Sequence, residues 1–380
     1  MKKSNLKGLT RSELEEFVRS IGEPVYRGRQ LFDWIYTKEV DEFPLMTTFS
    51  KSLREKLSER AEISSLFLVR KQESASDRTS KLLFELSDGK KIESVLIPPK
   101  TAFRGTEARS EDEQSRLTLC VSTQVGCPLD CAFCATASMG FLRNLTAGEI
   151  VDQVLQARHV SRKPITNIVF MGMGEPLLNY ENVMKAVEII STGLKIAARR
   201  ITVSTAGWIP GIRQMADERR KVKLAVSLHS LDPASRTSLM PLNRKFPLDE
   251  LLDAVEDYYR KTKNRVTFEY ILFSGMNDRA EDVKRLIRLT RRIPSKINII
   301  PFHNIDFIGP EGVAAQLRPA DKVRIDEIVT ELRDNQVTVF VRSSAGEDID
   351  AACGQLAVSH DRPSRNPRTS SPQPLLAPAS

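Results

Sequence analysis

The sequence predicts an α/β protein: a partial, open (β/α)6 barrel preceded by a small N-terminal helical domain. Three observations carry this. From Leu117 onward, short apolar segments alternate with longer amphipathic ones, the pattern of strands joined by helices. The short segments are almost continuously apolar, as strands buried on both faces of a parallel sheet must be. They number six, too few for a closed eight-stranded barrel.

Residues 1–60 read as helical. Ser12-Glu13-Leu14-Glu15-Glu16 offers a cap and an acidic first turn. Leu31, Phe32, Trp34, Ile35 and Tyr36 recur at helical spacing, followed by Phe43, Met46, Phe49, Leu53 and Leu57, which suits the core of a small bundle. Arg27 and Arg29 are its candidates for phosphate contact. Region 61–116 is expected to be a β-hairpin linker. Lys81–Leu86 is one strand, Ser87-Asp88-Gly89-Lys90 the turn and Lys91–Ile97 the return, with an exposed polar loop over 98–116 carrying Arg104, Arg109, Glu111, Asp112 and Glu113.

The barrel is expected over 117–357. Its strands are placed at 117–122, 167–171, 200–204, 222–227, 266–272 and 296–301, with helices at 147–159, 181–191, 248–261 and 279–291. A helix at 320–333 precedes a last strand at 337–342. The stretch 358–380 has Pro363, Pro367, Pro372, Pro374 and Pro378, much serine and no aromatic residue, so disorder is expected there.

The 380 residues carry a formal charge of +8, which permits a polyanionic partner without requiring one. No apolar run approaches the ~20 residues that span a bilayer, and no apolar signal segment follows the basic N-terminus, so a cytoplasmic protein with no membrane partner is expected. Five cysteines, four of them within fifteen residues, make a poor disulfide framework. They suit a reduced chain that uses thiols for metal or for chemistry.

Cys127-Pro128-Leu129-Asp130-Cys131-Ala132-Phe133-Cys134 is a C-x3-C-x2-C run at the end of the first barrel strand. Three thiolates on one loop can hold three irons of a cubane cluster and leave the fourth open to a ligand. Structural zinc sites use four ligands, usually in two pairs. The run resembles the radical S-adenosylmethionine (SAM) superfamily, in which the open iron of a 4Fe-4S cluster binds SAM and the fold is a partial barrel.

Further segments resemble the RlmN/Cfr family of radical SAM RNA methyltransferases. They are Gly126-Cys127, Gly140-Phe141-Leu142-Arg143-Asn144, Gly172-Met173-Gly174-Glu175-Pro176, Ser204-Thr205-Ala206-Gly207, Ser227-Leu228-His229 and Ala351-Ala352-Cys353-Gly354-Gln355-Leu356. The resemblance spans about residues 8–357. The helical start, with Tyr26-Arg27-Gly28-Arg29-Gln30, is similar to the family's helix-hairpin-helix-like accessory domain.

The resemblance implies a division of labour. Cys127, Cys131 and Cys134 would hold the cluster. Cys353 would receive a methyl group from one SAM, and a second SAM would yield the radical that activates it, so two SAM are used per turnover. Cys120 would free the product by pairing with Cys353. Glu93 would take the ring-carbon proton, with Cys120 the other candidate. Gly174, Glu175, Ser204, Ser227, Leu228 and His229 would contact SAM. The family's next SAM contact is an asparagine after the sixth strand, and ungapped alignment puts His303 there, beside Asn304. Implied partners are 23S rRNA and tRNA, methylated at adenine C2, and an electron donor such as flavodoxin or ferredoxin; a monomer is expected. The rivals are C8 methylation of the same ribosomal adenine, as in Cfr, and an iron–sulfur RNA-binding protein without turnover. A mere binder has no use for the two thiols outside the cluster run.

Overall fold

The computed structural model describes residues 3–99, 116–161, 163–342 and 344–358. Nearly all of the loop expected over 98–116, with its Arg104, Arg109, Glu111, Asp112 and Glu113, lies outside the described residues. So does the tail expected over 358–380, apart from Val358.

Among the described residues the strands are β1 (Ser4–Asn5), β2 (Ala61–Glu62), β3 (Phe67–Glu73), β4 (Ser80–Glu85), β5 (Lys91–Ile97), β6 (Thr118–Cys120), β7 (Gln124–Gly126), β8 (Phe141–Asn144), β9 (Asn167–Phe170), β10 (Ile201–Thr205), β11 (Lys223–Ser227), β12 (Val266–Leu272), β13 (Ser295–Pro301) and β14 (Val339–Val341). Ten of them form one open sheet in the order β14-β13-β12-β11-β10-β9-β6-β5-β4-β3. β6 and β9 to β13 are the six expected barrel strands, all parallel, and β14 adds a seventh beside β13. The hairpin is not a linker. β5 pairs antiparallel with β6, Val95 opposite Cys120, so β3 to β5 extend the barrel sheet itself.

The helices Ala147–Ser161, Tyr180–Thr192, Leu248–Thr262, Ala280–Arg292 and Lys322–Asp334 lie within a residue or two of their expected bounds. Ile209–Asp217 was not expected; it opens on Ile-Pro-Gly, which reads as a turn although proline is well suited to a first helical turn. Among the described residues, no helix is long and apolar enough to cross a membrane.

The N-terminal helices are Arg11–Ser20, Tyr26–Phe32 and Lys51–Arg60. The first is capped by Thr10 rather than Ser12: the Thr10 side chain accepts from the Glu13 N–H, and Glu13 reaches back to the Thr10 N–H at 2.7 Å. Phe32, Ile35 and Tyr36 are buried in the same core as the barrel strands. Lys7, almost fully buried, bonds Asp152 of the Ala147–Ser161 helix at 2.7 Å. A buried pair of this kind is costly to break from one side, which fixes the domain against the barrel. Arg29 is paired with Glu15 at 2.8 Å, whereas Arg27 lies over the Tyr26 and Phe49 rings.

Candidate active site

A cavity of about 150 Å³ opens where the parallel strands end. Cys127, Cys131, Cys134 and Cys353 all line it. The thiol loop begins at a backbone crossing that only glycine permits. Gly126 has φ +76°, and a Cβ there would lie 1.8 Å from the Gly140 carbonyl oxygen. That carbonyl instead accepts the Cys127 N–H at 2.8 Å, closing the short β7–β8 ribbon over the loop.

Burial is the largest influence on all three loop thiols: it pushes Cys127 up to about 12 and raises Cys131 and Cys134 as well. Each also responds to at least one neighbouring thiolate, which places them together. Among the described residues, no three Cys, His, Asp or Glu side chains converge as on a single metal ion. An all-thiol donor set around a shared cavity fits a cubane cluster, whose irons are bound one to each cysteine. Loading it must displace the protons that burial favours.

Beside the thiols, Gly174 has φ +97°, and a Cβ there would meet the Gln124 side chain at 2.5 Å. Gln124 Oε1 accepts the Glu175 N–H at 2.9 Å. The Glu175 carboxylate accepts from the N–H groups of Leu177 and Ala206 at 3.0 and 2.8 Å. Its pKa is pushed up to about 7 by burial, against those two bonds. Such a group favours folding in its neutral form, so this contribution is present below pH 4.5 and is lost as pH rises towards 7. Glu175→Gln in the cofactor-free protein therefore gains relative to the parent by about 3 kcal/mol between pH 5 and pH 8. Denaturant midpoints at the two pH values measure it, and a pH-independent difference contradicts it.

Ser204 and Ser227 line the cavity from the ends of β10 and β11. His229 lines it too, held in the left-handed region at φ +54°. Its Nδ1 accepts the Ile271 N–H at 3.0 Å, so the ring proton sits on Nε2. Burial, then the neighbouring Arg236, push its pKa down to about 3, so the ring is neutral. Leu228 is fully buried in the hydrophobic core and does not line the cavity.

Neither His303 nor Asn304 reaches this cavity. His303 is buried, 3.4 Å from Glu347, and the Asn304 side chain bonds Asp306. The Asn304 carbonyl accepts from Gln355 at 3.1 Å, so this segment braces the chain that carries Cys353. That chain is pinned on other sides as well. The Gly354 carbonyl accepts the Ala135 N–H at 2.6 Å, the Leu356 carbonyl accepts from Thr136 at 2.6 Å, and Asp77 accepts the Gly346 N–H at 2.9 Å. Cys353 itself stays exposed.

Cys120 is buried on β6, and its pKa is pushed up to about 12 by burial and then by Cys353. The two thiols are thus neighbours, both free. Arg342, 3.5 Å from Glu269, is influenced by both. Glu93 stands back from the cavity, 3.5 Å from Lys81, whose ammonium also bonds the Asp350 carbonyl at 3.2 Å. Burial raises Glu93, and its Oε2 has no hydrogen-bond partner among the described residues.

Four residues in or around the cavity left little or no local sequence signal. Gln124, Glu269 and Arg342 were missed, as was Arg236, whose guanidinium bonds the Ser227 and Ala206 carbonyls at 3.0 and 2.8 Å and ties two strand ends together. Glu269 alone left a signal: the one charged side chain in the seven-residue strand β12.

Two family models match the chain. The Radical SAM superfamily covers residues 121–289, and the ribosomal RNA large subunit methyltransferase N-terminal domain covers residues 4–63. A probable dual-specificity RNA methyltransferase RlmN of Syntrophomonas wolfei is 41% identical over 95% of this chain and 99% of its own. The dual-specificity RNA methyltransferase RlmN of Pelobacter propionicus is 44% identical over 93% and 96%. The crystal structure of a radical SAM methyltransferase from Sphaerobacter thermophilus superposes with a TM-score of 0.81 at 42% identity, covering 93% of this chain and 98% of that one.

Proposed function

Because the chain belongs to the RlmN family of radical SAM RNA methyltransferases, enzymes that use a 4Fe-4S cluster and SAM, we propose that it methylates C2 of adenine in 23S rRNA and in tRNA through a methyl group carried on Cys353. The observation that carries this reading is the meeting of the three loop thiols with Cys353 at one cavity, with Cys120 close enough to Cys353 to shift its acidity.

When bound, the cluster and SAM supply one-electron chemistry that makes a carbon radical. The chain's own residues do the rest. Cys127, Cys131 and Cys134 would hold the cluster. Glu175 and Gly174 would hold the amino-acid end of SAM, and neutral His229, with Ser204 and Ser227, would line the rest of its site. Cys353 as thiolate would attack the methyl carbon of a first SAM, so that a new S–C bond forms, the sulfonium S–C bond breaks and its electron pair leaves on S-adenosylhomocysteine. That carbon would first give up a hydrogen atom to the radical, then bond to adenine C2, and the ring would lose its C2 proton and one electron to the one-electron chemistry the cluster supplies; the Cys120 thiolate then attacks the Cys353 sulfur. A disulfide forms, the S–C bond breaks, and its electron pair stays on the carbon, which takes a proton to become methyl. Glu93 serves the departing ring proton from just outside the cavity, with Cys120 the other candidate.

We place the enzyme in the cytoplasm, as a monomer reduced by a flavodoxin- or ferredoxin-like donor. The names of its relatives favour C2 over C8. Digestion of RNA from cells with and without the gene, resolved by mass spectrometry, tests this: 2-methyladenosine is expected to disappear with the gene. Loss of 8-methyladenosine instead overturns it.

A further inference from the structure

The end of the barrel remote from Cys353 has its own chemistry. Side chains two apart on a strand share a face. The register aligns Ser204 with Ala225, Thr267 and Lys296, and Ser227 with Glu269 and Asn298. Ser204, Ser227 and Glu269 line the active cavity, so this is the inward face. Lys296 therefore faces inward, and so does Lys223, two residues before Ala225 and level with Thr202.

Cys120 pairs with Val169 and Val169 with Thr202, and Arg116 and Arg200 come just before β6 and β10, so both stand at the same mouth. Lys223 is exposed and Lys296 half-buried. Burial and then Lys296, Arg116 and Arg200 together lower the pKa of Lys223; no carboxylate acts on it among the described residues. Thr202 and Thr267, level with the two lysines, are half-buried on this inward face. Like charges gathered on folding repel one another unless an anion joins them. Ammonium groups beside hydroxyls suit the oxygens of a phosphate.

We propose that the N-terminal mouth of the barrel binds a phosphate group through Lys223 and Lys296, with the Thr202 and Thr267 hydroxyls beside them. Lys223 and Lys296 each stand four residues, about 13 Å, before Ser227 and Ile300, which line the active cavity, so a free phosphate-bearing anion fits the lysines better than a phosphate of the RNA whose base enters the other end. The site does not depend on the methyl relay.

Titration calorimetry of the cluster-loaded protein with pyrophosphate tests it. Saturable binding is expected, weakened about tenfold or more in the Lys223→Gln/Lys296→Gln double variant and retained in Lys223→Arg/Lys296→Arg. Full iron content and reductive SAM cleavage in each variant establish that it has folded. Unchanged tRNA affinity in the Gln variant assigns the site to a free anion. Weaker tRNA binding, with a log–log salt slope shallower by about one to two, assigns the phosphate to the RNA backbone. Absence of saturable pyrophosphate binding together with unchanged tRNA affinity overturns the proposal. So does an equal response to sodium chloride at matched ionic strength.

Discussion

Cys120→Ala protein given RNA, SAM and reductant is expected to accumulate as a covalent protein–RNA species joined through Cys353. In the proposed relay, bond formation to adenine uses Cys353 and the cluster held by the loop thiols and does not use the Cys120 sulfur as a nucleophile. Release needs a second thiol, and Cys120 is the neighbour whose acidity Cys353 perturbs. Burial keeps Cys120 protonated at neutral pH, with Arg342 the cation that favours its thiolate. The variant should methylate Cys353 normally and then stall after one turnover, so that multiple-turnover product falls by at least about a hundredfold. Denaturing electrophoresis and peptide mass mapping detect the adduct. Fast product release without a cross-link makes Cys120 a structural thiol.

The second large effect concerns the loop thiols. Cys127→Ala, Cys131→Ala or Cys134→Ala should each abolish the four-iron cluster in anaerobically reconstituted protein, because each removes the ligand of one iron. Cys120→Ala and Cys353→Ala should keep full iron, although Cys353 lines the same cavity. Iron analysis and visible absorbance measure this. Loss of iron from the Cys353 variant shows that the partition of three cluster thiols and two relay thiols is wrong.

The difference between what was legible and what was not follows the range of the interactions. The parallel strands could be read because burial on both faces writes itself into each strand, as in Ile297, Ile299 and Ile300 of β13. The three-residue β7 and four-residue β8 were missed, since strands so short carry no period, and the glycine that forces them together acts through Gly140, fourteen positions away. That β3 to β5 belong to the barrel sheet depends on Val95 meeting Cys120, a pairing no local pattern encodes.

The cluster loop is a local motif and was legible as such. The relay pair was not legible from spacing: Cys120 and Cys353 meet because Gly354, Leu356 and Gly346 dock the C-terminal segment on the thiol loop and on Asp77. For the same reason His303 and Asn304, which alignment placed at SAM, turn out to brace that segment.

The central claim is that the transferred carbon waits on the protein. Enzyme isolated from cells should carry one extra methyl group on Cys353. In a single turnover with SAM labelled at its methyl group, the relay predicts a first product whose new carbon is unlabelled, with label only in later products. Label in the first product, in proportion to enzyme, means direct transfer from SAM and contradicts the account.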